Sequence, residues 1–179
     1  KQIGYAKKEY YMLYKPAGVI SATKDDRDKT VLDLITDKKR NDLFPVGRLD
    51  KDSEGLLLMT NNGDIINRMM RAANKHEKEY KVTVDKPVTD EFLKEMAGGV
   101  PILDTVTRPC QVEKLGKYKF KIILTQGLNR QIRRMCEALG YEVKELRRVR
   151  IMNIELGNLK PGEYRKVTDQ ELNELYELI

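Results

Sequence analysis

The chain has 179 residues, with 34 Lys and Arg against 28 Asp and Glu, a formal net charge of +6. With 40% hydrophobic and 35% charged residues it is a globular chain of one or two compact domains, not a disordered one. Two cysteines, Cys110 and Cys136, exclude a disulfide framework, and with the single His76 they exclude a four-ligand zinc site of ordinary spacing. No apolar run approaches the ~18 to 20 residues of a membrane span, so no membrane contact is expected. A reducing compartment, the cytoplasm, is expected. The start Lys1, Gln2, Ile3 has no apolar signal region, and the missing initiator Met reads as a fragment of a longer chain.

In chain order, Tyr10 to Tyr14 reads as a strand closed by Lys15, Pro16, Ala17 and Gly18, because aromatics favour pleated surfaces and Pro-x-Gly ends them. Thr30 and Asp33 form a capping pair for a short helix to Leu34. Phe44 to Gly47 restarts extended structure. Leu56 to Thr60, bounded by Gly55 and the turn Asn61, Asn62, Gly63, reads as a buried strand. Asp64 begins a helix to about Ala73 that buries Ile65, Ile66, Met69 and Met70.

Tyr80, Val82 and Val84 alternate with polar residues in a strand stopped by Pro87. Thr89 to Gly98 is a capped helix. Gln111 to Leu115 and Tyr118 to Leu124 form a hairpin about Gly116. Asn129 to Leu139 is the clearest helix, with Ile132, Met135, Cys136 and Leu139 on one face and Gly140 as its left-handed cap. Val143 to Ile154 reads as extended. Thr168 and Glu171 box the start of a last amphipathic helix carrying Leu172, Leu175, Tyr176 and Ile179. The order predicts a mixed α+β fold with a mainly antiparallel sheet and flanking helices.

Charge is uneven along this plan. From Gln126 to Arg150 there are seven basic residues against three acidic ones. Clustered Arg suits phosphate through bidentate hydrogen bonds, although a solvated helix face gives the same pattern. The phosphate-cradling patterns G-x-x-x-x-G-K and G-x-G-x-x-G are absent. A His-dependent hydrolase would have to use His76, in what reads as a solvated turn. Asp50, Asp52 and Glu54 resemble a calcium loop, but Asn61 stands where a bidentate Glu is required. Asp50 lies on a tight loop between extended segments, between Gly47 and Gly55. There it either caps its own turn, as loop Asp residues usually do, or serves as a catalytic carboxylate; spacing alone favours the first.

Gly47, Arg48, Leu49, Asp50, followed by Ser53, Glu54, Gly55, Leu56, Leu57, Leu58, Met59, Thr60 and Asn61, resembles the signature of RNA pseudouridine synthases, in the ribosomal-RNA branch of the RsuA family. The resemblance recurs in order at Lys15–Gly18, Glu77–Tyr80 and Gly127–Met135, and covers nearly the whole chain. It implies the pseudouridine synthase catalytic fold, with Asp50 as the nucleophile that detaches uracil from ribose so that it rejoins through C5. It implies that Tyr80 lies against the flipped base and assists removal of the C5 proton, and that Arg133 pairs with Asp50 and keeps it ionised. Leu49 and Ile132 would pack beside the site. Arg48 would help extrude the nucleotide, and Arg130, Arg134, Lys15, Asn129 and Gln131 would contact RNA. Without the resemblance, Tyr80 reads as a half-buried packing residue and Arg133 as solvent-facing.

These roles suit the chemistry. A uridine in a duplex must be flipped out to expose C1′ or C6 and is held by stacking, and a charged nucleophile answers a cation-like centre at C1′. The resemblance calls for no cofactor and no metal. Arg130 stands where many relatives have His, a variation associated with the large-subunit branch; Gly99–Leu103 points the same way. The expected partner is therefore ribosomal RNA, 23S first, with transfer RNA as a further substrate and a monomer as the default state. Relatives usually carry a small N-terminal RNA-binding domain of the S4 type that nothing here matches. Residues 1–179 are thus expected to be one catalytic domain, with a small subdomain at about 8–60. The alternatives are a non-catalytic RNA-binding assembly factor, the same activity on 16S or transfer RNA, and a glycosidase using Asp50 with Asp52. The last does not explain the Arg-rich helix.

Overall fold

The computed structural model describes residues 7–36, 42–73 and 75–179. It is α+β, as expected. The strands are β1 (Tyr10–Lys15), β2 (Phe44–Val46), β3 (Glu54–Thr60), β4 (Lys78–Val84), β5 (Pro101–Ile102), β6 (Thr105–Val106), β7 (Gln111–Gly116), β8 (Lys119–Leu124), β9 (Val143–Ile151), β10 (Ile154–Glu155) and β11 (Tyr164–Lys166). The helices are α1 (Gly63–Ala72), α2 (Asp90–Gly98), α3 (Gln131–Ala138) and α4 (Asp169–Leu178), and a 3₁₀ turn spans Val31–Leu34.

Nine strands form one sheet in the order β11-β1-β3-β9-β4-β8-β7, with β10 paired to β9 and β2 to β3. Every neighbouring pair is antiparallel except β3 and β9, which run parallel through Glu54–Arg147 and Gly55–Arg148. That parallel seam joins the β1/β3 half to the β4/β8 half, and the Asp50 loop enters β3 directly beside it.

The two halves bury their strands differently, which explains their sequence patterns. One face of β1 and β3 packs Met12, Leu56 and Leu58 with Ile65 and Met69 of α1 and Leu175 of α4. The other packs Leu13, Leu57 and Met59 with Val19, Val31 and Leu43. Burial on both faces demands continuous apolar runs, and both strands have them. In the other half, Val82 and Val84 of β4 and Phe120, Ile122 and Leu124 of β8 point to a single core with Phe92 and Met96 of α2 and Ile132, Met135 and Cys136 of α3. One buried face gives the period of two.

Several expectations needed correction. Helix α3 begins at Gln131, because Arg130 takes a left-handed conformation (φ 48°, ψ 39°) and Asn129 stays in the preceding loop. The extended run from Val143 to Ile154 breaks after Ile151, where Met152 at φ 53° turns the chain back as β10. Met70 is 52% exposed, since α1 turns only Ile65, Met69 and Ala72 fully inward. The β5–β6 hairpin and β11 had no sequence signal, being two or three residues long. No helix among the described residues is long and apolar enough to cross a membrane.

Candidate active site

Asp50 sits on the turn before β3, and buried contacts fix that turn. Ser21 Oγ donates to the Leu49 carbonyl at 2.9 Å and accepts from the Leu49 amide at 3.0 Å. The Gly18 amide donates to the Lys51 carbonyl at 2.7 Å, and the Ser53 amide to the Asp50 carbonyl at 3.0 Å. Lys15 is fully buried, and its Nζ donates to the carbonyls of Pro16 (2.8 Å), Val19 (2.6 Å) and Lys51 (3.4 Å). This corrects the expectation that Lys15 contacts RNA. Its ammonium is enclosed by three carbonyls of the 15–21 and 50–53 loops, and burial, only partly opposed by Asp52, Asp50 and Glu54, lowers its pKa to about 8.

Two arginines of the 130–133 segment close the loop from the other side. Arg130 forks onto Asp52, Nη1 to Oδ1 at 3.0 Å and Nη2 to Oδ2 at 2.8 Å, and its Nη1 stands 3.5 Å from Asp50 Oδ2. Arg133 donates from Nη2 to the Asp52 carbonyl at 2.9 Å and to Ser53 Oγ at 3.2 Å, with Nη1 3.5 Å from Asp52 Oδ2. The expected Arg133–Asp50 pair is thus not formed here; the arginine beside Asp50 is Arg130. The left-handed backbone at Arg130 directs its guanidinium over both carboxylates, while Arg133, in the first turn of α3, reaches beneath the loop. The Arg130 hydrogen bonds, reinforced by the Arg133 and Arg130 charges, hold the Asp52 carboxyl below its ordinary pKa against a smaller effect of burial.

Between this loop and the sheet lies a cavity of about 580 Å³. Arg48, Leu49, Asp50 and Ser53 line one side, and Asn129, Arg130, Gln131 and Ile132 another. Tyr80, Lys78 and Arg148 form the sheet wall, and His76, Met69 and Met70 are also on the lining. The cavity therefore brings together Asp50, Tyr80, Arg48, Arg130, Asn129 and Gln131 of the expected site. Arg133, Arg134 and Lys15 are not on its lining. Arg134 instead holds the loop, donating to the Asn129 carbonyl and to Asn129 Oδ1, both at 3.0 Å. Gln131 is 5% exposed and accepts from the Leu128 amide through Oε1 at 3.1 Å, so it shapes the turn into α3. His76 lies in the turn expected of it after α1, but it is half-buried and lines the cavity.

Four contributors were missed by sequence reasoning: Ser21, Asp52 as the anchor of both arginines, Lys78 and Arg148. Asp52 carried a signal as the second acid of the Asp50 loop, Lys78 as part of the Glu77–Tyr80 match and Arg148 as one of the basic residues of the 126–150 segment, but none of the three was given a role in the site. Ser21 is an ordinary polar residue whose importance depends on what the fold sets beside it. Burial, with the Arg148 and Arg108 charges nearby, lowers Lys78 to about 8.

The geometry can hold a flat ring against Tyr80 with a carboxylate at its edge, among cations suited to a phosphodiester. The family model for RNA pseudouridylate synthase matches residues 9–138. The chain is 55% identical over 167 residues to the dual-specificity RNA pseudouridine synthase RluF of Escherichia coli K12, covering 93% of this chain and 57% of that protein. It is also 36% identical over 175 residues to ribosomal large subunit pseudouridine synthase B of Bacillus subtilis, covering 93% and 70%. A crystal structure of a pseudouridylate synthase superposes with a TM-score of 0.85 at 31% identity, covering 97% of this chain and 74% of that one. The chain thus spans little more than half the length of its RluF relatives. By family model, relatives and fold, it belongs to the RNA pseudouridylate synthases.

Proposed function

We propose that this chain is the catalytic domain of an RNA pseudouridine synthase that isomerises a uridine of ribosomal RNA, 23S in the first instance. The observation that carries this reading is the placement of Asp50 and Tyr80 on two walls of one cavity, with Arg130 3.5 Å from the carboxylate. The large-subunit assignment rests on Arg130 in the downstream motif and on the similarity to ribosomal large subunit pseudouridine synthase B.

A uridine extruded from its helix would stack on Tyr80, with the wall of Leu49 and Ile132 at its edge. The Asp50 carboxylate acts as nucleophile at the nucleoside, at C1′ or at C6. The N1–C1′ bond breaks, the base turns, C5 bonds to C1′, and the bond to Asp50 breaks, which returns the carboxylate. The C5 proton is then removed, with Tyr80 assisting, and N1 gains a proton, so the product is an isomer and no co-reactant is consumed. Arg48, exposed at the cavity mouth, is placed to fill the gap left in the helix. Arg133 acts through the loop, gripping Asp52 and Ser53, and so positions Asp50 from beneath. The protein works as a cytoplasmic monomer in this reading, and transfer RNA is a second substrate class.

The test is tritium release from C5-labelled uridine in 23S RNA and its fragments. Release by the wild type and none by Asp50→Ala, with RNA affinity retained, is the expected result. Equal release by both would remove Asp50 as nucleophile, and binding without any release by the wild type would favour the assembly-factor alternative.

A further inference from the structure

Arg148 is 6% exposed, yet it lines the cavity. Its Nε donates to the Leu56 carbonyl at 2.9 Å across the parallel seam. Its Nη2 is shut off from water and has no hydrogen-bond partner. A desolvated guanidinium nitrogen without an acceptor is costly, and such groups persist where something else completes them. Neither Arg148 nor its neighbour Lys78 forms an ion pair among the described residues, so this wall carries two cations and no paired acid.

The strand register adds a second observation. Glu79 pairs with Arg150, but the next residue, Tyr80, pairs with Arg148, because β9 carries an irregularity at this step. Regular pairing would have set Val149 opposite Tyr80. The bulge substitutes an arginine for a valine beside the ring, on the same face of the sheet. A ring stacked on Tyr80 therefore shares its face of the sheet with a donor-only group. The donor carries no hydration shell, so an acceptor that reaches it, once the side chains covering Nη2 shift, gains the hydrogen bond without displacing water.

Resting on the reading of the cavity as a uridine site, we infer that Arg148 is a specificity-determining residue whose Nη2 donates to the 4-carbonyl oxygen of the extruded pyrimidine. Uracil and cytosine share the acceptor at position 2, but at position 4 uracil offers an acceptor where cytosine presents an amino group, which a guanidinium cannot accept from. The same hydrogen bond strengthens as the detached base gathers negative charge on its oxygens, and Lys78 beside it adds to that field.

The experiment uses the 23S fragment that supports tritium release, with its target uridine replaced by 2-thiouridine, 4-thiouridine or an abasic ribose. Wild type, Arg148→Lys and Arg148→Met are compared, with thermal melting of each variant as the folding control. At position 4, sulfur should lower wild-type kcat/KM by about tenfold to a hundredfold, and at position 2 by much less. Arg148→Met should lose a similar factor on uridine, show no added sensitivity to sulfur, and match the wild type in affinity for the abasic RNA. If Arg148→Met does not fold, Arg148→Lys should show a reduced sulfur effect. Sulfur changing the wild-type rate by less than about twofold at position 4 overturns the inference, as does a full sulfur effect in the Arg148 variants. A loss of abasic affinity equal to the loss on uridine assigns Arg148 to a phosphate instead. No release by the wild type on any 23S fragment overturns the uridine reading, and the inference with it.

Discussion

Gly55 and Arg148 meet backbone to backbone at the parallel seam of the sheet. A Cβ on Gly55 would lie 2.2 Å from the Arg148 carbonyl oxygen and 2.6 Å from its nitrogen, and Gly55 has φ +115°. No side chain fits there, and the obstacle is main chain that cannot rotate away. The approach joins the two halves of the sheet and sets the exit of the Asp50 loop.

Gly55→Ala should therefore destabilise the protein by about 3 kcal/mol or more, through both the clash and the strained backbone. Urea titration of the purified variant checks this. An unfolding midpoint unchanged from the wild type would show that the seam can open to admit a methyl group.

Asp52→Ala should leave Arg130 and Arg133 without their shared anchor and loosen the turn that carries Asp50. Misplacement of about 1 Å costs a catalytic group about 100-fold, so kcat is expected to fall by about 10- to 100-fold while RNA affinity changes little. Single-turnover rates at saturating RNA measure this directly. A purely electrostatic role for Asp52 predicts rescue by Asp52→Glu at low salt, and a positioning role predicts none.

Lys15→Met should cost about 2 to 4 kcal/mol, because it leaves the buried carbonyls of Pro16, Val19 and Lys51 without their donor. The salt dependence of RNA binding by the folded variant should match the wild type, since an enclosed ammonium neutralises no phosphate. A slope shallower by about one would restore Lys15 to the RNA interface.

Glu171 predicts a pH response in the last helix. Its carboxylate accepts two hydrogen bonds from Arg165 at 2.9 Å and one from the Thr168 amide at 2.9 Å, and its pKa falls to about 2, with Arg165 as the largest cause. The unfolded chain, with Glu near its ordinary value of about 4.3, binds more protons between those values. The contribution to stability is thus complete above about pH 4.3 and disappears as pH falls towards 2. Glu171→Gln should flatten this part of the pH profile of urea unfolding, and an unaltered profile would place the acid sensitivity elsewhere.

Much of the fold was legible in the residues. β1 and β3 announced themselves as continuous apolar runs, β4 and β8 by alternation, and α3 by its stripe and Gly140, because each signal reports a local period imposed by burial. β5, β6 and β11 were silent, since two or three residues hold no period and their pairing depends on what the remainder of the chain brings alongside. In the site, motif resemblance singled out Asp50 and Tyr80, and the fold sets both on one cavity; their roles stand as proposals. The partners of the arginines did not follow from it. Arg133 stands in the expected motif but reaches Asp52, because the left-handed turn at Arg130 rotates the entrance of α3 and gives Arg130 the approach to Asp50.

The sequence by itself determined the element types, the basic character of the 126–150 segment and the resemblance to a family, all of which depend on residue type and local spacing. The tertiary structure alone decided that Lys15 is enclosed, that Ser21 holds Leu49, and that Arg148 stands opposite Tyr80. These are contacts between residues 28 to 68 positions apart or matters of enclosure, fixed by loop closure and by one irregular step in a strand register. No local pattern encodes such a step, because a shift of one residue leaves every period unchanged while exchanging which side chain faces the cavity.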